Sequence, residues 1–228
     1  MSGNCPCILR SPVRKLKYMD KCDVSITCNG TLSVQALFRM KYVILSDDLT
    51  GASGVASLLN APDTITINLD QIGLLESANA SFVSVNLDCR NSPDSGKIVE
   101  MALNHFSGSR VTLRIDSTLR GNISAMITPF LSRGKKILLT DTIPEYGRYT
   151  RNGKTIFNGL ETDILSSVLR GSMFQPPAGS IEVADSESYD DIRELALRCL
   201  YEDMMPVDPG PMIAEVLREG DKRGIWDS

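Results

Sequence analysis

From residue 42 onward the chain alternates short, continuously apolar or β-branched runs with longer segments of helical period. The runs fall at residues 42–46, 64–69, 82–87, 111–115, 136–140 and 181–184. A run that is apolar at successive positions, rather than at every second one, belongs to a strand buried on both faces. Helical segments are expected between them at 51–59, 95–106, 122–131, 189–200 and 211–218. In 95–106, Ile98, Met101, Ala102 and His105 stand at helical spacing. Ser188 with Asp190 and Asp191 favours a helix start, and Pro211 suits the first turn of the last helix. This alternation predicts an α/β fold, a mostly parallel sheet with helices on both faces. In such a sheet the ligand sits beyond the carboxyl ends of the strands. Residues 142–159 interrupt the pattern, and Asn152-Gly153 marks a tight turn between short alternating runs. They are expected to form a loop and β-hairpin excursion over the sheet edge.

Residues 1–39 carry no clear period and change character abruptly at Met40. They are expected to be an N-terminal extension, either disordered or an over-extended start of the reading frame, with residues 40–228 forming the α/β domain. Four of the six cysteines, Cys5, Cys7, Cys22 and Cys28, lie in this extension; the others are Cys89 and Cys199. The Cys5-x-Cys7 spacing is tighter than that of most zinc sites, so free thiols in a reducing cytoplasm are the expectation and no metal-ligand set is assigned. A net charge of -4 with interspersed signs argues against nucleic acid as partner. No apolar run approaches the roughly 18 residues needed to cross a bilayer, and no apolar stretch follows the basic start as in a signal peptide. The expected location is cytoplasmic, without membrane contact.

Four polar clusters follow the expected strands at their carboxyl ends. They are Ser46-Asp47-Asp48-Leu49-Thr50-Gly51, Asp88-Cys89-Arg90, Asp116 through Asn122, and Asp141 followed by Pro144 through Arg148. Acids and arginines converging on one edge of a parallel sheet make a polar pocket. A carboxylate there orients a hydroxyl or takes its proton, and a guanidinium holds a carboxylate through two parallel hydrogen bonds. Each residue also has a plainer reading. Asp47 or Asp48 would cap the helix near Thr50, and Asp116 or Ser117 the next one. Arg90 and Arg120 would be salt-bridge partners, Arg148 would lie on a solvated loop, and Cys89 would be a small packing residue. Other chemistries are poorly supplied. The single histidine, His105, falls within a helical pattern and reads as structural, which leaves no Ser-His-Asp or Cys-His set. No P-loop string and no G-x-G-x-x-G after a strand occur.

The strings SDDLTGAS at 46–53, RIDSTLRGN at 114–122 and PEYGRYTRNGKTIFNG at 144–159 resemble the N-terminal domain of the four-carbon acid sugar kinases. Asp88-Cys89-Arg90 resembles a segment of that family ending in Ser-Arg, with Cys89 in the serine's place. The likeness covers roughly residues 40–220. It implies a domain that binds an acid sugar such as threonate or erythronate, with ATP bound by a second, C-terminal domain. Carried over residue by residue, it implies Asp47, Thr50, Gly51, Arg90, Ser117, Arg120, Gly121, Asn122 and Arg148 as substrate-binding residues. Arg120 or Arg90 would hold the carboxylate, and Asp48 or Asp116 would act as the catalytic group nearest the reacting hydroxyl. Three departures stand out: Arg114 where lysine is common, Thr155 where an aromatic or histidine is frequent, and Pro206 through Pro211 in place of a Gly/Ser-rich segment. No Gly-rich nucleotide domain precedes Ser228. ATP and magnesium are therefore expected only through a missing or separate domain, with a nucleotide-binding subunit or a homo-oligomer as partner. The alternatives are a non-catalytic sugar-acid-binding or regulatory module and a truncated remnant; retention of Asp48, Asp116 and Arg120 favours a working pocket.

Overall fold

The computed structural model describes residues 23–26, 32–35, 42–77 and 80–227. The chain divides into two units, Met1–Phe38 and Arg39–Ser228. In the first, strands β1 (Asp23–Ile26) and β2 (Leu32–Gln35) pair antiparallel. The rest of that unit, with Cys5, Cys7, Cys22 and Cys28, lies outside the described residues, as do the expectations made for it.

The second unit is built on a seven-stranded sheet. Its strands are β3 (Tyr42–Ser46), β4 (Thr64–Asn68), β5 (Phe82–Asn86), β6 (Arg110–Arg114), β7 (Lys136–Leu139), β11 (Ile181–Val183) and β12 (Met204–Asp208). They lie in the order β11-β7-β12-β6-β3-β5-β4, and every neighbouring pair is parallel. After β3 the chain first builds one side of the sheet with β4 and β5, then crosses to the other with β6. The loops leaving β5 and β6 therefore flank the loop leaving β3, at the switch point where open α/β sheets form their ligand crevice.

The helices are α1 (Leu49–Leu59), α2 (Ser95–His105), α3 (Ile123–Ser132), α4 (Ile164–Val168), α5 (Tyr189–Tyr201) and α6 (Pro211–Lys222). Side chains of β3 alternate between the faces, and so divide two cores. Val43 and Leu45 enter the core shared with α2, α3 and α4; Tyr42 and Ile44 enter that of α1, α5 and α6. The sheet is thus covered on both sides, as the continuous apolar runs require. In α2 the buried face is Ser95, Val99, Ala102 and Leu103, a rotation from the expected stripe, and Met101 and His105 are exposed.

Three elements depart from the sequence reading: strand β12, the third strand of the excursion after β7, and the short helix α4, which falls in no expected helical segment. Strand β12 was not expected: the tract from Pro206 was marked only as a departure from the family pattern, and a proline has no N–H to give a ladder. Pairing of β12 with β6 begins only at Val207, and the Pro206 carbonyl is taken by the Thr112 side-chain hydroxyl instead of a backbone rung. The missing N–H therefore falls where no ladder bond needs it. The excursion after β7 is a three-stranded antiparallel sheet: β8 (Tyr149–Arg151) and β9 (Lys154–Phe157) form the expected hairpin around Asn152-Gly153, and β10 (Leu160–Asp163) adds a third strand. The Asp185 carboxylate accepts from Asn152 N (2.7 Å) and Gly153 N (3.0 Å) and fixes the turn. A buried hydroxyl set, Thr140, Thr142, Thr150 and Ser186, ties this small sheet to the end of β7.

Candidate functional site

Six charged side chains meet beyond the carboxyl ends of β3, β5 and β6. Asp47, fully buried directly after β3, is the anchor. Arg90 donates to it through Nε (2.6 Å) and Nη2 (3.2 Å), places Nη1 2.8 Å from Asp48 Oδ2, and has Nη2 3.3 Å from Asp116 Oδ1. Arg114, at the last position of β6, sets Nη1 3.3 Å from both Asp47 Oδ1 and Asp48 Oδ1 and donates Nε to the Pro209 carbonyl. Arg120 closes the set with a fork on Asp116, Nε to Oδ2 and Nη2 to Oδ1, each at 2.8 Å. Backbone bonds from Cys89 N and Arg90 N to the Asp47 carbonyl hold the β5 loop against the β3 loop, which is why the guanidinium of Arg90 arrives at this height.

The guanidinium of Arg120, the Thr118 hydroxyl and N–H, and the Arg90 charge together hold Asp116 well below the usual carboxylate range, against the opposing pull of burial. Asp116 also raises the Arg120 guanidinium above its ordinary value. The side chain of Arg90 is only 17% exposed and that of Arg114 12%, whereas that of Arg120 is 65% exposed. Arg120 is therefore the most exposed guanidinium of the cluster. Helix N-termini face the same edge: Asp48 caps α1 by accepting from Gly51 N at 2.8 Å, and Asn122 caps α3 by accepting from Ala125 N at 3.3 Å. Of the capping alternatives, Asp48 rather than Asp47 holds the first helix, and Asn122 rather than Asp116 or Ser117 the second.

Two glycines are fixed by this packing. A Cβ on Gly51 would lie 1.9 Å from Arg114 Nη1, so the residue must be bare for the guanidinium to reach the aspartates. Gly121 sits at φ +88°, and a Cβ there would come within 2.8 Å of the Arg90 carbonyl. Asp88 and Leu119, at φ 48° and 54°, occupy the left-handed region beside the same cluster, where non-glycine residues are uncommon. Thr50 is exposed in the first turn of α1 and Ser117 is half-buried in the turn after β6. Cys89 is fully buried, its Sγ 3.6 Å from Met126 Sδ, and burial pushes its thiol up to about 12, in keeping with a packing residue.

A second polar group lies across the Asp116 loop. Arg148 is buried, not on a solvated loop: its guanidinium lies 4.3 Å over the Phe157 ring and donates to Asp141 Oδ2 at 3.2 Å. Thr155 donates to the same oxygen at 2.6 Å. Asp141 is fully buried, and burial pushes it up to about 7 although Thr155 and Arg148 oppose the shift. These side chains, with Thr118, Leu119, Leu160 and Thr162, line a recess of about 190 Å³. The structure thus brings Asp47, Asp48, Arg90, Asp116 and Arg120 together, with Gly51, Gly121 and Asn122 shaping the walls, and sets Arg148 in the adjoining recess. Arg114, Thr118, Asp141 and Thr155 were given no role from the sequence, although Thr118 and Asp141 stood within the polar clusters that follow the strands. Arg114 and Thr155 had been marked only as departures from the family pattern, and each proves to touch a site aspartate.

A sequence profile described as the sugar-binding N-terminal domain matches residues 42–175, more than half of the chain. The D-threonate kinase of Salmonella typhimurium is 30% identical over 138 residues, covering 56% of this chain and 33% of the relative. The chain thus spans about a third of the length of that curated protein. Among solved structures, a domain of unknown function from Bordetella bronchiseptica, a domain-swapped dimer with bound citrate, superposes with a TM-score of 0.64 at 19% identity, covering 78% of this chain and 56% of that one. A Haemophilus influenzae protein of the same domain type gives a TM-score of 0.56 at 17% identity, with 78% and 56% covered. These likenesses establish the fold. The matched segment contains β3 through α4 and all the charged residues of the cluster, and the chain belongs to the sugar-binding N-terminal domain family, the N-terminal domain of the four-carbon acid sugar kinases.

Proposed function

We propose that this domain binds a four-carbon sugar acid at the carboxyl edge of its sheet and is the substrate-holding half of an ATP-dependent kinase. The observation that carries the reading is the shared cluster of Asp47, Asp48, Asp116, Arg90, Arg114 and Arg120, delivered to one crevice by the end of β6 and the loops after β3, β5 and β6. The three carboxylates and three guanidinium groups neutralise one another, so the cluster is a rigid frame, and its most exposed cation is Arg120. Arg120 takes the substrate carboxylate, and the α1 and α3 N-termini add favourable potential for an anion. Asp48 and Asp116 stand beside the hydroxyl-bearing carbons and orient them. With every carboxylate of the frame engaged by guanidinium groups, the cluster offers little to a magnesium ion. The nucleotide and its metal are supplied by another domain or subunit. For phosphoryl transfer the contribution of this half is positioning, holding the alcohol where the transferred group arrives.

The test is a ligand-induced shift in melting temperature with four-carbon sugar acids, run with and without Mg-ATP. Threonate or erythronate should raise the transition in proportion to the logarithm of its concentration, and Mg-ATP alone should not. No shift with any four-carbon sugar acid would remove the reading.

A further inference from the structure

We propose that the recess between the Asp116 loop and the small antiparallel sheet is a hydroxyl-binding subsite, in which Asp141 Oδ1 accepts a hydroxyl of the bound polyhydroxy acid. This rests on the sugar-acid reading above and names a residue it did not use. Asp141 Oδ1 is buried and has no hydrogen-bond partner among the described residues, while Oδ2 of the same carboxylate takes both Thr155 and Arg148. A buried acceptor left unmatched is costly, and native sites match such groups with a donor. Asp141 is among the residues that line the recess, and a ligand hydroxyl entering there is the donor assigned to this oxygen. Arg148 already supplies a positive charge to this carboxylate, so the complementary group is a neutral hydroxyl and not a second cation. Phe157 and Leu160 add apolar wall for the carbon backbone, in the usual pattern of a small-molecule pocket with a few fixed polar groups.

The recess adjoins the charged cluster through one residue. Thr118 lines it while donating its N–H to Asp116 Oδ2 at 3.0 Å. A short acid with its carboxylate at Arg120 therefore directs its hydroxyl end past Thr118 toward Asp141. The charged groups facing Asp141 are Arg148, directly before β8, and Asp208 from the end of β12. The latter is fully buried and accepts from Met212 N and Ile213 N at the start of α6. Burial and Asp208 keep Asp141 near neutrality, up to about 7, and a donated hydroxyl favours its ionised form. Binding of a hydroxylated acid near pH 7 thus releases protons, and affinity weakens as pH falls below 7.

Calorimetry on the whole chain with D-threonate and with butanoate, which lacks the hydroxyls, tests this. The wild type should prefer threonate. In Asp141→Asn the amide oxygen stays with Thr155 and Arg148 and an NH2 group faces the recess, so the preference should shrink about tenfold with butanoate affinity unchanged. Should Asp141→Asn fail to fold, the wild type at pH 7 in two buffers of different ionisation enthalpy gives the answer: proton release with threonate and none with butanoate. Equal proton release for both ligands, or an unaltered preference in Asp141→Asn, overturns the subsite while leaving the sugar-acid site standing. Failure of both ligands to bind the wild type overturns the two together.

Discussion

Asp47 and Arg120 belong to one charged cluster and answer to opposite demands. Asp47 is fully buried under two arginines, so Asp47→Ala leaves two partly buried guanidinium groups without their main counter-charge. A loss of about 3–5 kcal/mol is expected from breaking such a set, read as a lowered midpoint in denaturant unfolding. A midpoint unchanged from wild type would show that Asp47 does not hold the frame. Arg120 is mostly exposed, and Asp116 keeps Arg90 and Thr118 when it is removed. Arg120→Ala should weaken sugar-acid binding clearly while the melting temperature stays near that of wild type. Calorimetry showing unaltered affinity would take Arg120 out of the site. The identities of these residues were legible in the strings at 46–53 and 114–122, but their division of labour was not. Burial separates the supporting aspartate from the presenting arginine, and burial is a property of packing, not of spacing.

The small sheet β8–β10 carries Thr155 and Phe157, with Arg148 directly before its first strand, and its seating on β7 decides where they point. That seating runs through hydroxyls. Thr150 Oγ1 accepts from Thr140 (3.0 Å), from Thr142 (3.2 Å) and from Asp141 N (3.0 Å), and the Thr150 backbone exchanges bonds with Ser186. Thr150→Val keeps the side-chain shape and removes the shared acceptor, stranding buried donors. It should cost about 1–3 kcal/mol and weaken ligand binding along with stability. Hydrogen exchange confined to residues 149–163 would report the loosening, and uniform protection there would contradict it. Asn152-Gly153 announced the hairpin because its turn requires left-handed backbone, which both residues adopt, at φ 51° and 71°. The third strand, Leu160–Asp163, is exposed along its length and carries no apolar alternation, so no signal of burial could have revealed it. Strand β12 was hidden for a different reason. Its proline is tolerated only because pairing with β6 starts one residue later.

For the molecule as a whole, two buried carboxyls set the pH dependence of stability. Burial raises Asp141 to about 7 and Asp208 to about 6, the latter despite the α6 backbone N–H groups that favour its ionised form. Between about pH 5 and 7 the unfolded chain has released these protons while the native state keeps them. The native state then binds more protons, and unfolding free energy falls as pH rises through this window. Asp116 has the opposite sign, since its lowered value contributes stability that is present above the ordinary carboxylate range and lost as pH falls below it. Denaturant midpoints should therefore be highest in mild acid, decline toward pH 7 and level off above it. The paired variant Asp141→Asn with Asp208→Asn should flatten the decline; a slope unchanged in that variant would assign it to other groups. Among the described residues no helix is long and apolar enough to cross a membrane.

By itself the sequence determined the layered α/β architecture, since apolar runs without alternation have no stable place except a sheet covered on both faces. It also determined the edge on which the acids and arginines stand, because strand polarity and turn position follow from local pattern. The tertiary structure alone decided strand order, with β12 slotted between β6 and β7, and the pairing of each carboxylate with its guanidinium. It alone gave Asp141 a bare buried oxygen beside the charged frame. Those outcomes depend on contacts between residues far apart in the chain, whose distances no local period encodes.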